Sequence, residues 1–106
     1  MADEIIVLIT ATSMEEAAKI GTALVNEHIA ACANIAPQIR SLFFWEGKTQ
    51  DEKEALIIIK SRLPLLDRII ARVKEHHSYS VPEVIALPII GGSTEYLRWL
   101  NDSTQG

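Results

Sequence analysis

Arg40–Lys60, RSLFFWEGKTQDEKEALIIIK, carries two apolar runs, Leu42–Trp45 and Ala55–Ile59, on either side of a polar segment containing Gly47. Aromatic and β-branched residues around a glycine-containing loop predict a β-hairpin. Neither arm alternates cleanly. Phe43 and Trp45 face one way and Leu42 and Phe44 the other, just as Leu56 and Ile58 oppose Ile57 and Ile59. A strand that is apolar on both sides is normally buried on both sides. Two faces of a sheet must therefore be covered, and one small chain has to find the cover.

Upstream, Glu4–Ala11 (EIIVLITA) reads as a first strand, again apolar on both faces. Ser13 and Glu16 have capping-box spacing, with the hydroxyl accepting from the N3 amide while the carboxylate reaches back. The helix they open places Met14, Ala17, Ala18, Gly21, Leu24, Val25 and Ile29 on one stripe. Gly21 costs that helix about 1 kcal/mol against Ala, so it is expected to serve close packing. Ala30–Ala36 begins a second strand, and Pro37 marks a bulge or edge before Gln38 leads into the hairpin.

Downstream, Pro64 suits the first turn of a second helix. Leu66, Ile69, Ile70 and Val73 form its buried stripe, which continues onto His77, while His76 lies roughly 100° further round, toward solvent. Ser78–Ser80 and Pro82 stop the helix. Glu83–Ile90 reads as a fourth strand with Pro88 at an edge or end. Gly91-Gly92 turn the chain into a short helix, capped by Ser93 or Thr94 and carrying Tyr96, Leu97, Trp99 and Leu100. Residues 101–106 read as a polar tail with nothing to bury.

The order β-α-β-β-α-β plus a terminal helix is an α+β, ferredoxin-like sandwich on an antiparallel sheet, one domain over residues 1–106. Right-handed crossovers put both main helices on one sheet face. The other face stays apolar and uncovered, more than a soluble monomer tolerates. Self-association follows, without a copy number.

With 10 Lys and Arg against 14 Asp and Glu, the net charge is −4, which speaks against a nucleic-acid binder or a polybasic membrane-surface protein. Cys32, the single cysteine, can form no intramolecular disulfide and fits a reducing, cytoplasmic setting. Residues 1–11 lack a signal-peptide pattern, and no apolar run approaches the ~20 residues of a membrane span. A Cys-x-x-Cys metal loop, a cysteine-rich cluster motif, an RNA-recognition signature and a glycine- and arginine-bearing phosphate loop are all missing from the places this fold would carry them.

His76-His77 is the most suggestive polar pair, because imidazole suits copper, zinc and nickel. Adjacent helical residues diverge, so a shared metal needs the helix to unwind there. The structural alternative is a helix C-terminus, where cationic imidazole is favoured by the macrodipole. Cys32 sits among alanines and reads as a small packed residue; nothing in the spacing pairs it with His77 for catalysis. Trp45, Lys48, Tyr79 and Glu83 read either as packing or as an aromatic pocket with two charged partners. No nucleophile–base–orienter set is present, so no enzymatic activity is expected.

Four motifs then converge on one family. Ala31-Cys32-Ala33-Asn34-Ile35, Trp45-Glu46-Gly47-Lys48, His76-His77-Ser78-Tyr79-Ser80-Val81-Pro82-Glu83 and Tyr96-Leu97-Arg98-Trp99 resemble the CutA divalent-cation-tolerance proteins. The resemblance implies a cytoplasmic homotrimer of ferredoxin-like fold, associated with copper and other divalent metals, with no organic cofactor. It also implies a likeness to the trimeric PII signalling proteins, which bind small ligands between subunits; a PII-like regulatory module is the alternative function. His76 and His77 match the paired histidines for which copper binding has been proposed. Some members carry a cysteine where Ile9 stands here. Without that thiolate the donor set favours weakly bound Cu(II) or another divalent ion over Cu(I).

Overall fold

The computed structural model describes residues 3–104. In chain order it forms β1 (Glu4–Ala11), α1 (Met14–Asn26), β2 (Cys32–Trp45), β3 (Lys48–Arg62), a 3-10 turn (Leu63–Leu65), α2 (Leu66–His76), β4 (Val84–Pro88) and α3 (Thr94–Asp102). The sheet runs β2-β3-β1-β4 and every pairing is antiparallel. This is the ferredoxin-like arrangement that the element order predicts.

The hairpin is longer than the apolar runs indicate. Its loop is the two residues Glu46 and Gly47, with φ of 52° and 82°, and Trp45 pairs directly with Lys48. Two consecutive positive φ values match the twist of antiparallel strands. The polar stretch Lys48–Glu54, read from sequence as loop, is therefore strand. Residues 48–53 lie outside the core, so their polarity hides the strand, while Glu54 at its inner end is buried. The register slips once, between Ala36 and Ile39, around Pro37, as the missing proline N–H demands.

One face of the sheet meets both long helices. Ile5, Val7, Ile9 and Ala11 of β1 and Ala55, Ile57 and Ile59 of β3 pack with Ala17, Ile20 and Leu24 of α1 and Ile69 and Val73 of α2. Each fully buried Ile or Leu contributes about 1.5–3 kcal/mol of transfer free energy. The α1 stripe differs from the sequence reading in detail: Met14 and Ala18 are exposed, Ile20 is buried, and Ile29 packs after the helix has ended. Gly21 does serve close packing, since a Cβ there would sit 3.2 Å from the Ala33 Cβ.

The opposite face carries Ile6, Leu8, Leu56, Ile58, Ile85 and Leu87. The register sets Ile85, Leu8 and Ile58 in one cross-strand row. Ile85 is 51% and Leu87 47% exposed. α3 covers the end of this face near Glu4, so the polar-tail reading needs correction. Asn101 belongs to α3 and donates to Glu4 Oε2 and, at 3.0 Å, to the Leu97 carbonyl. Thr104 is buried, and its hydroxyl accepts from Arg62 Nε at 2.7 Å. A polar residue is held here by hydrogen bonds, which hydropathy does not register. Residues 105 and 106 of the expected tail, and residues 1 and 2 of the expected domain, lie outside the described residues.

Candidate functional site

α2 ends at His76, and His77 leaves the helix with extended backbone, φ −94° and ψ 142°. The bend that Ser78, Ser80 and Pro82 impose turns the His77 ring inward, where its side chain is fully buried. Its Nε2 lies 2.7 Å from the Thr10 carbonyl oxygen, and its Nδ1 accepts the Tyr79 backbone N–H at 3.0 Å. A carbonyl can only accept, so Nε2 carries the proton and the ring is the neutral tautomer.

Glu16 stands beside this ring, 3.6 Å from Nε2. Its carboxylate accepts from the Thr12 N–H at 2.9 Å and the Ser78 N–H at 3.0 Å, while Ser13 Oγ accepts from the Glu16 N–H at 3.0 Å. The capping box therefore does a second job, tying the segment after α2 to the start of α1. Burial alone would raise the Glu16 pKa; the hydrogen bonds from Thr12 and Ser78 outweigh it and lower it.

The metal pair predicted from sequence is only partly open. Both His77 nitrogens are engaged, so a metal there has to displace a hydrogen bond. His76, expected toward solvent, is half-buried, and its Nε2 is enclosed with no hydrogen-bond partner among the described residues. Ile9, at the cysteine position, is fully buried and offers no donor. Among the described residues no three His, Cys, Asp or Glu side chains converge to hold a metal ion. Cys32 keeps company with Asn34 Oδ1 at 3.5 Å and Lys60 Nζ at 4.0 Å.

Tyr79, two residues beyond the brace, enters a groove of about 870 Å³ between the hairpin and the segment leading to β4. Of the four residues predicted to form a pocket, Trp45, Tyr79 and Glu83 line it. Lys48 is not among the lining residues; it is the first residue of β3, across the turn from Trp45, and not part of a mobile loop that could reach in. The groove takes in three further glutamates, Glu46, Glu52 and Glu54, and two further aromatics, Phe43 and Phe44. Sequence reading missed them because the alignment of β3 against β2 decides which way they point. The one available signal was the i, i+2 spacing of Glu52 and Glu54.

Tyr79 donates its hydroxyl to Glu54 Oε2 at 3.3 Å. Burial first, and then the charges of Glu54 and Glu52, push the Tyr79 phenol up. Burial and the Glu54 charge likewise raise the Glu83 carboxyl. In both, burial acts first and the neighbouring Glu54 charge adds to it.

With fold and site in view, the sequence pattern of the CutA1 divalent ion tolerance proteins matches residues 5–103. The chain belongs to the CutA1 family. It is 44% identical over 101 residues to the divalent-cation tolerance protein CutA of Thermus thermophilus, covering 95% of this chain and 98% of that one. It is 48% identical to the chloroplastic CutA 1 of Oryza sativa, again over 95% of this chain. It spans 57% of the length of that rice protein and 56% of its Arabidopsis thaliana counterpart. The crystal structure of CutA1 from Oryza sativa superposes with a TM-score of 0.95 at 46% identity, covering 98% of this chain and 95% of that one. A CutA from Archaeoglobus fulgidus, described as periplasmic, gives 0.93 at 37% identity over 96% of this chain and 99% of that one. The ferredoxin-like fold of this family member is thus shared with solved relatives. Among the described residues no helix is long and apolar enough to cross a membrane.

Proposed function

We propose that this chain is a non-enzymatic divalent-cation tolerance protein that works as a cytoplasmic homotrimer and binds Cu(II) or another divalent ion weakly at the end of α2. The observation that supports metal binding is the His76 Nε2, enclosed and without a partner among the described residues. A buried nitrogen left unpaired costs about 1–3 kcal/mol, and a metal would satisfy it. His76 is the primary donor. His77 joins by giving up its bond to Thr10 or Tyr79, which keeps the affinity modest. Glu27 is held below the usual carboxylate range first by its hydrogen bonds from Arg72, and the charge of His76 adds to this.

Assembly is supported by the open sheet face, whose apolar row Ile85–Leu8–Ile58 is only partly covered among the described residues. The single, half-buried Cys32 agrees with a reducing compartment.

Isothermal titration with Cu(II) tests the metal site on wild type, His76→Ala, His77→Ala and the double variant. Heat should fall most in His76→Ala and vanish in the double variant. It should also weaken toward acidic pH, because a protonated imidazole has no lone pair to offer. Equal copper affinity in wild type and double variant sinks the site.

A further inference from the structure

The buried ring of His77 has one nitrogen that can take a metal without moving a proton. Its Nε2 carries the hydrogen, because the Thr10 carbonyl at 2.7 Å can only accept, and its Nδ1 keeps the lone pair that the Tyr79 N–H occupies at 3.0 Å. A metal needs that lone pair, so Nδ1 is the donor in place. Ligation through Nε2 would require the proton to cross to Nδ1. Two donors, Nδ1–H and the Tyr79 N–H, would then face each other, and the Thr10 carbonyl would lose its partner as well. The Nδ1 route gives up one hydrogen bond and the Nε2 route two.

The far side of the ring is furnished for the first route. A metal-ligating histidine almost always donates its other N–H to a carbonyl or carboxylate, which orients the ring and raises its basicity. Here Nε2 has the Thr10 carbonyl at 2.7 Å and a Glu16 carboxylate oxygen at 3.6 Å. The His77 side chain is fully buried and that of Glu16 is 13% exposed, so a positive charge arriving at the ring meets a negative one largely shielded from water. The neighbouring His76 has its own Nε2 enclosed and unpartnered among the described residues.

The bond given up at Nδ1 leads elsewhere in the fold. A metal about 2 Å from a ring nitrogen falls inside the 3.0 Å that separates Nδ1 from the Tyr79 nitrogen, so the Tyr79 amide has to withdraw. The Tyr79 ring lies beside that of His77, with centroids 5.0 Å apart. Its hydroxyl donates to Glu54 Oε2 at 3.3 Å, long for a hydroxyl donor and correspondingly easy to break. Glu54 shares its side of β3 with Leu56 and Ile58, on the sheet face turned away from the helices.

We propose that a divalent metal takes His77 through Nδ1 while Nε2 keeps its bond to the Thr10 carbonyl, and that loading the site detaches Tyr79 from His77 and from Glu54. The segment after α2 is then a metal-dependent latch between the helix end and the sheet. This rests on the metal reading above and adds to it the ligating atom and the residue that responds.

The test follows the Tyr79 amide in the intact chain. Backbone hydrogen exchange with and without saturating Cu(II), stopped by acid and a chelator and read over residues 77–83, should show Tyr79 exchanging about tenfold faster with copper, the scale of one lost hydrogen bond. Coupling is reciprocal, so Tyr79→Phe, which removes the bond to Glu54 and keeps the amide and the ring, should bind Cu(II) roughly two- to fivefold tighter than wild type in calorimetric titration. A tyrosine that only packs would leave the affinity unchanged or lower when trimmed. Tyr79 exchange unaltered by bound Cu(II) overturns the proposal and leaves the metal site standing; so does a copper affinity in Tyr79→Phe no higher than in wild type. No saturable Cu(II) binding to wild type, or equal binding in the variant with both His76→Ala and His77→Ala, overturns the proposal and the metal reading together. Should Tyr79→Phe fail to fold, the exchange measurement on wild type decides alone.

Discussion

The Nε2 of His77 donates to the carbonyl oxygen of Thr10 across 2.7 Å, joining the end of α2 to the end of β1. Because Nδ1 simultaneously accepts the Tyr79 N–H, one buried ring fixes two backbone segments. Tyr79 then reaches Glu54, so the brace also sets a wall of the acidic groove.

Removing that ring should therefore be felt in stability before it is felt in metal binding. His77→Ala leaves the Thr10 carbonyl and Tyr79 N–H without their partner, a loss of about 1–3 kcal/mol per buried group. His77→Gln, with an amide that can donate and accept, should recover part of it. Urea unfolding of the three proteins measures the order. Nitrogen-15 shifts of the wild-type ring should report the Nε2–H tautomer. A destabilisation under about 0.5 kcal/mol for His77→Ala contradicts the brace.

The open sheet face makes a sharper demand. Ile58 lies between Leu8 and Asn34 on that face, away from the helix-packed core. Ile58→Asp should abolish assembly, because a buried subunit contact cannot accept an unpaired carboxylate. The helix-packed core itself is untouched, so helical circular dichroism should persist at low temperature. Sedimentation velocity decides: a trimer in Ile58→Asp identical to wild type removes this face from the interface.

Gly21 offers a test of packing inside the chain. Gly21→Ala gains up to about 1 kcal/mol of helix propensity and meets the Ala33 Cβ at 3.2 Å, so the two effects should nearly cancel. Gly21→Leu has the same backbone gain but drives a branched side chain into β2, and should lose about 1–3 kcal/mol. Denaturant midpoints of the two variants check the argument, and equal stability would show that α1 can retreat from the sheet.

These residues also show where the sequence was legible. Element order, the capping of α1 by Ser13, the packing role of Gly21 and the inward turn at His77 all follow from local periodicity and capping chemistry. What escaped depended on distant pairing. Lys48–Glu54 is strand because β2 holds it in register, and its polarity gave no hint of that. Glu54 became a groove residue because Tyr79, 25 positions away in sequence, comes to rest against it. Thr104 and Asn101 looked like tail because their partners, Arg62 and Glu4, lie far along the chain. The His76-His77 pair was visible as a motif. That one ring is engaged at both nitrogens and the other is enclosed without a partner needed the fold.

The two acidic residues flanking this region should respond to pH in opposite senses. Glu16 has its pKa lowered from an ordinary value of 4.5, because the hydrogen bonds from Thr12 and Ser78 overcome the effect of burial. Its contribution to stability is present above the unfolded pKa and lost as pH falls through the folded one. Glu83 is raised from the same ordinary value, by burial first and the Glu54 charge second. Its contribution is fully present below the unfolded pKa and lost as pH rises through the folded one, so at neutral pH the ionised group works against the fold. Glu16→Gln should therefore destabilise at pH 7, with the difference shrinking in acid. Glu83→Gln should stabilise at pH 7, and that gain should fade below about pH 4.5, where the wild-type carboxyl is protonated in both states. Urea unfolding at both pH values, with protein concentration held fixed so that any self-association contributes equally, separates them. Changes of the same sign for Glu16→Gln and Glu83→Gln at pH 7 would mean that the surroundings of Glu83 do not disfavour its ionised form.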